Sequence, residues 1–200
     1  MKKYFTHFSR SSLIESSHEI KVLVKNINGK ILKTSNHDND YIYPRSSIKI
    51  FQGIAFLKSN AANYFKLSPK IIALSCSSHR GESFHIRELE KWIKKIGISK
   101  QKLKCGIHNP LNSRASEKLM RSNGYANQLH NNCAGKHLGM ISSCIVNKYR
   151  TDNYLEFNHP HQINIRKIFE KFMNKKITKK NYGIDGCSAP QYSFKIEDIV

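Results

Sequence analysis

An α+β fold is what this sequence predicts, and three observations carry that expectation. A β-hairpin signal lies near the N-terminus, several later segments have the apolar spacing of helices, and no internal repeat or flexible linker divides the chain. At 200 residues, residues 1–200 are expected to form a single domain with a real core.

The hairpin rests on two β-branched runs, Ile20 to Val24 and Ile31 to Thr34, on either side of Asn28-Gly29. Glycine there supplies the positive φ that a tight turn needs. A polar loop, "HDNDYIYPRSS", follows, with Pro44 biasing Tyr43 towards an extended backbone. From Ser46 the apolar positions Ile48, Phe51, Ile54, Ala55 and Phe56 take helical spacing, which puts Ser46 or Ser47 at a helix start. "KIIALSCSSHRG" predicts a short buried strand running into a turn. "ESFHIRELEKWIKKIGI" predicts an amphipathic helix that ends at Lys94, Lys95 and Gly97. Asn123-Gly124 marks a turn, Ala134 to Val146 has the composition of a buried helix, and "HPHQINIRKIFEKFM" predicts another helix led in by a proline. The last stretch, "YGIDGCSAPQYSFKIEDIV", begins as strand or loop and ends on the first turn of a helix with acidic residues in it.

Composition narrows the function classes. The formal charge of +20 would draw nucleic acid or an anionic membrane. Lys and Arg are nevertheless scattered along the whole length, and only Arg166 to Lys180 is a dense run, so nucleic acid is disfavoured as a partner. Five cysteines, Cys76, Cys105, Cys133, Cys144 and Cys187, form no regular framework of the kind secreted disulfide proteins carry. The positively charged start lacks the apolar stretch of a signal peptide, and no segment approaches the ~20 apolar residues of a membrane span. A soluble, cytoplasmic protein with no membrane partner is expected.

Three constellations could carry chemistry. Ser46 and Lys49 stand one helical turn apart, so a buried neutral lysine could take the hydroxyl proton. The plain alternative is a helix cap followed by a solvated lysine. In "CSSHRGE", Ser78 adjoins His79 after an apolar run, a place where nucleophiles are displayed, although the same residues could simply cap the next helix. "LHNNCAGKHLGM" (Leu129 to Met140) and "IDGCS" together offer Cys133, Lys136, His137, Asp185 and Cys187. Two thiolates and one further ligand would make a zinc site, with His137, four residues after Cys133, the simplest nitrogen donor on spacing alone. The density of polar side chains in "HNNCAGKH" calls for partners, a ligand or metal among them.

Six blocks occur in a specific order: "YPRSSIKIFQ", "LSCSSHRGESFH", "CGIHNP", "LHNNCAGKHLGM", "HPHQ" and "IDGCSAPQYSF". From about Glu19 onward the chain resembles the L-asparaginase II family, the rhizobial-type asparaginases. That resemblance implies a fold like the serine β-lactamases and glutaminases, a sheet flanked by helices. It also implies a homodimer and an amidohydrolase converting L-asparagine to L-aspartate and ammonia. Ser46 is the implied nucleophile with Lys49 as its base, and Ser78 is the second catalytic serine. Zinc is implied on Cys133, Lys136 and Cys187, with Arg45, His137 and Asp185 beside substrate. Family members extend further and carry there the lysine that pairs with the second serine. This chain is therefore expected to be C-terminally incomplete, a fragment, remnant or half of a split enzyme, with impaired activity. Glutaminase or another amidase of the same fold is the alternative within the class, and a basic nucleic-acid-binding protein the alternative outside it.

Overall fold

The computed structural model describes residues 3–35 and 37–200, so Met1 and Lys2 of the charged start lie outside it. The chain divides into two compact units, one of residues up to Tyr43 with Ser193–Val200, the other Pro44–Tyr192. Helices and short strands are mixed in an α+β arrangement.

The first unit is built of short ladders. β1 (Tyr4–Arg10) and β2 (Leu13–Ile20) pair antiparallel with a register shift at Phe8/Ser9, around a turn at Ser11, whose φ is 53°. Its polar residues hid this hairpin in the sequence, where only the next one was expected. That expected hairpin is formed by β3 (Leu23–Lys25) and β4 (Ile31–Thr34), and its turn is closed by Asn26, whose side chain accepts the N–H groups of Asn28 and Lys30. Gly29 has φ 78°. The first strand is shorter than the expected run, because Ile20 belongs to β2. Next comes β5 (Tyr41–Ile42).

The second unit carries the core. A 3-10 turn (Arg45–Ile48) leads into α1 (Lys49–Lys58), followed by the short α2 (Ala61–Tyr64). The predicted strand in "KIIALSCSSHRG" is instead helix α3 (Pro69–Ser75). Ser68 caps it by accepting from Ile71 N–H, Pro69 takes a first-turn position, and Ile71, Leu74 and Ser75 line its buried side. A short apolar run does not distinguish strand from helix, and here the cap decides. The predicted amphipathic helix is α4 (Ser83–Ile96), opened by the reciprocal Glu82 and His85 cap and closed at Gly97 with φ 69°. α5 (Ser113–Arg121), capped by Asn112, was not anticipated. α6 (Ala134–Val146) and α7 (Pro160–Met173) occupy the expected segments, α7 with His159 as its cap. β6 (Tyr182–Ile184) and β7 (Pro190–Tyr192) form a hairpin whose turn holds Asp185 and Cys187. β8 (Phe194–Lys195) pairs with β5 in the first unit, and α8 (Ile196–Ile199) ends the chain.

α6 is the axis of the second unit. All of Ala134–Cys144 is buried, and α1, α3 and α4 pack around it. A helix with apolar residues on every side is stable only when enclosed in this way, and its polar members Lys136, His137, Ser142 and Ser143 are buried with it. Trp92 is fully buried on α4, packs 5.5 Å from Phe56 of α1 and donates to Ser142 Oγ of α6 at 3.0 Å. Glycines allow the closest approaches. A Cβ on Gly135 would lie 2.1 Å from the carbonyl oxygen of Leu74, and one on Gly53 2.2 Å from Cys76 Sγ.

Gly135→Ala is therefore expected to force α3 away from α6 and to destabilise the protein by at least ~1–3 kcal/mol. A urea midpoint unchanged from that of the parent chain would refute this contact.

Candidate active site

The start of α1 and the segment after α3 converge. Lys49 is 2 % exposed, and its Nζ lies 2.5 Å from Ser78 Oγ while donating to Ser77 O at 3.0 Å. Ser46 Oγ in turn lies 2.8 Å from Ser78 Oγ. The three groups form a chain in which Ser78 is the middle member, and both serines are exposed. Sequence spacing paired Lys49 with Ser46; in the fold Ser78 comes between them. Burial is the main force holding the Lys49 amine below the ordinary lysine range; Cys133 opposes this shift and Lys136 adds to it.

His79 does not serve as a base for its neighbour. Its Nδ1 accepts the Gly81 N–H at 3.1 Å, it is 3 % exposed, and burial pushes its pKa down to about 3. It is a structural residue holding the turn that leads into α4.

Cys133 immediately precedes α6, which places Lys136 and His137 on that helix's first turn. Cys187 comes from the turn between β6 and β7. Both thiols are buried. The neighbouring Cys133 thiol is the main influence holding Cys187 far below the usual thiol range; His137 and Lys136 act in the same direction, and Cys133 is raised. Asp185 ties the cluster together. Its carboxylate pairs with Arg45 at 2.7 Å, lies 3.8 Å from Lys136 Nζ, accepts the Gly186 N–H at 3.0 Å and has Cys187 Sγ at 3.9 Å. Arg45 adopts φ 54°, and its carbonyl accepts from Gln191 Nε2. Among the described residues no group of three or more His, Cys, Asp and Glu side chains is arranged to hold a metal. A donor set of two sulfurs and the Lys136 amine falls outside those residue types.

The polar density of "HNNCAGKH" has a mainly structural explanation. Asn131 donates to Cys105 O and accepts the Cys133 N–H, His130 Nδ1 accepts the Asn127 N–H, and Asn132 N–H donates to His108 Nε2. The "CGIHNP" block is thus the partner of this segment. What is left over is His137 Nε2, buried without a hydrogen-bond partner of good geometry, with Cys187 the side chain that acts on it. Burial keeps His137 below the usual histidine range. Its Nδ1 lies 2.6 Å from the hydroxyl of Tyr154, a residue that no sequence motif singled out.

Every predicted site residue lies in the second unit, brought there from four segments. The family model of L-asparaginase II matches residues 6–200. The chain belongs to the L-asparaginase II family. A search of curated proteins finds no match. Two features bear on other readings. Arg166, which opens the basic run, is 9 % exposed and stacks on Phe157 at 3.8 Å instead of joining a basic surface. Among the described residues, no helix is long and apolar enough to cross a membrane.

The buried histidines give stability a pH dependence. His79 and His161 both have a pKa of about 3 through burial, against an ordinary 6.5. Between those values the unfolded chain binds protons that the folded one refuses, so stability falls as pH drops below about 6.5, with a slope approaching ~1.4 kcal/mol per pH unit for each histidine. Urea midpoints between pH 7 and 4 should show this loss, and His161→Gln should flatten it; a flat profile in the parent chain would overturn the assignment.

Proposed function

We propose that the chain is an amidohydrolase acting on L-asparagine, releasing L-aspartate and ammonia through the Ser46, Ser78 and Lys49 chain. The observation that carries this reading is the pair of short contacts, 2.8 and 2.5 Å, joining two exposed hydroxyls to one buried amine. An amine depressed by burial can be neutral and take a proton, which lysine in water cannot do near neutral pH. Ser46 attacks the amide carbon and passes its proton through Ser78 to Lys49, forming a tetrahedral intermediate. The proton held on Lys49 then goes to the nitrogen, the C–N bond breaks to release ammonia and leave an acyl-enzyme, and water attacks that ester by the same route to free aspartate and Ser46. Family membership favours this substrate class, and the Arg45 guanidinium, paired with Asp185 but largely exposed, is the candidate to receive the substrate carboxylate.

Zinc belongs to the same proposal. The thiols of Cys133 and Cys187 lie within interaction range of each other, the latter tends strongly to thiolate, and Lys136 is buried beside them. This donor set suits a zinc ion, which would supply Lewis acidity and hold substrate at the edge of the site. Lys136 would have to bind as the neutral amine, so metal binding would weaken at low pH. The family resemblance carries with it a homodimer and a serine β-lactamase or glutaminase-like fold, and a cytoplasmic setting is proposed from the cysteine pattern. Five free cysteines accord with a reducing compartment.

Purified protein is expected to release ammonia from L-asparagine faster than from L-glutamine, and Ser46→Ala or Lys49→Met to lower that rate at least ~100-fold. The hydroxamate of aspartic acid should leave an acyl group on the Ser46 peptide, read by mass spectrometry. An adduct on Ser78 would reverse the two serine roles, and activity that survives both serine substitutions would sink the reading.

A further inference from the structure

Two hydrogen bonds converge on the hydroxyl of Tyr154, and together they dictate which nitrogen of His137 carries its proton. Tyr154 and His137 are both 0 % exposed. The backbone N–H of Lys104 donates to Tyr154 Oη at 2.9 Å, and His137 Nδ1 lies 2.6 Å from the same oxygen, with the two rings edge-on at 88°. Were Nδ1 protonated, two N–H groups would point at one phenol oxygen and the phenol proton would be buried without an acceptor. With Nδ1 bare, each group around this oxygen is satisfied: Lys104 donates to Tyr154, and Tyr154 donates to His137.

We infer that Tyr154 is a positioning residue that locks His137 in the tautomer with its proton on Nε2. Among the described residues that N–H meets no acceptor of good geometry, and Cys187 is the side chain that acts on the ring, so it is a donor open to the cysteine sulfur or to an anionic or carbonyl group entering the site. A carboxylate or amide oxygen of an amino-acid amide is the ligand chemistry it fits. The tether extends further. Tyr154 lies outside any helix, and Gln162 holds its carbonyl with a hydrogen bond of 2.8 Å. Gln162 comes from "HPHQ", a motif that the serine and thiol clusters leave unexplained, and His159 of the same motif caps α7. The motif thereby sets the position of a phenol that ties the Lys104 backbone to His137.

The kinetic consequence rests on the amidohydrolase reading, whereas the tautomer stands on the hydrogen bonds alone. Long-range proton–nitrogen correlation spectra of the ¹⁵N-labelled full chain, with His137→Gln used to assign the ring, test the tautomer directly. A protonated Nε2 and bare Nδ1 are expected in the parent protein. Tyr154→Phe keeps the ring and removes the oxygen; its His137 should become a mixture of tautomers, and kcat/KM for asparagine should fall about tenfold or more. A parent His137 protonated on Nδ1 overturns the inference even if the variant fails to fold. So does a Tyr154→Phe protein that retains the pure Nε2 tautomer. A shifted tautomer with unchanged kcat/KM overturns the positioning role, and a parent chain with the expected tautomer but no amidase activity refutes the amidohydrolase reading while the lock itself stands.

Discussion

The close approach of α3 to the start of α6 is the contact on which the site geometry depends. With no side chain on Gly135, the helix can press against the Leu74 carbonyl at a distance no Cβ would permit. Ser75 and Cys76 follow, and Gly53 on α1 yields the space that Cys76 fills. Three helices are thereby held against one another at the level where α3 ends. The chain leaving α3 can only continue across the start of α1, and this carries Ser77 and Ser78 onto the Lys49 amine. The buried lysine then finds two oxygens, one backbone and one hydroxyl, in place of the water it gave up.

The electrostatic design of the site follows from that burial. Lys49 and Lys136 are both almost fully enclosed within a protein that already carries a formal charge of +20. Two ammonium groups in such a place would be unfavourable without compensation. The compensating groups are the Asp185 carboxylate and the Cys187 thiol, which its neighbours hold far below the usual thiol range, each supplied by the turn between β6 and β7. Arg45 shares the same carboxylate from the solvent side. The site therefore balances its positive groups with a single hairpin turn, and that turn is where a ligand that adds or removes charge would be felt most.

Much of this was legible in the sequence, and the parts that were not have physical causes. α4 and α7 were readable because apolar spacing bounded by start and stop signals leaves one interpretation, and α6 because its run of small and apolar residues is long. α3 was misread because "KIIALS" is too short for its period to show, and the deciding residues, Ser68 and Pro69, stand before it. β1 and β2 carry few apolar residues, so alternation could not signal them. At the site, Ser46, Lys49 and Ser78 were identifiable by type and by family pattern, but the order of the chain that links them was not. Helical spacing places Lys49 near Ser46 on its own element, and only tertiary packing brings in a second hydroxyl between them. Tyr154 left no signal at all, since a buried tyrosine in a loop looks like any other core aromatic.

The polar residues of "LHNNCAGKHLGM" show how density of hydrogen-bonding groups can mislead and still inform. A buried Asn or His signals a demand for partners, and the sequence cannot say whether backbone or ligand meets it. Here the Asn131 and His130 side chains and the Asn132 backbone N–H are consumed in fastening the segment to Cys105, Asn127 and His108. Subtracting them leaves His137, whose Nε2 is buried without a hydrogen-bond partner of good geometry, as are Nε2 of His79 and of His161 elsewhere in the unit. What sets His137 apart from those two is its place beside Cys187 and Lys136, and that setting is a stronger pointer to ligand chemistry than the crowd of polar residues from which it was separated.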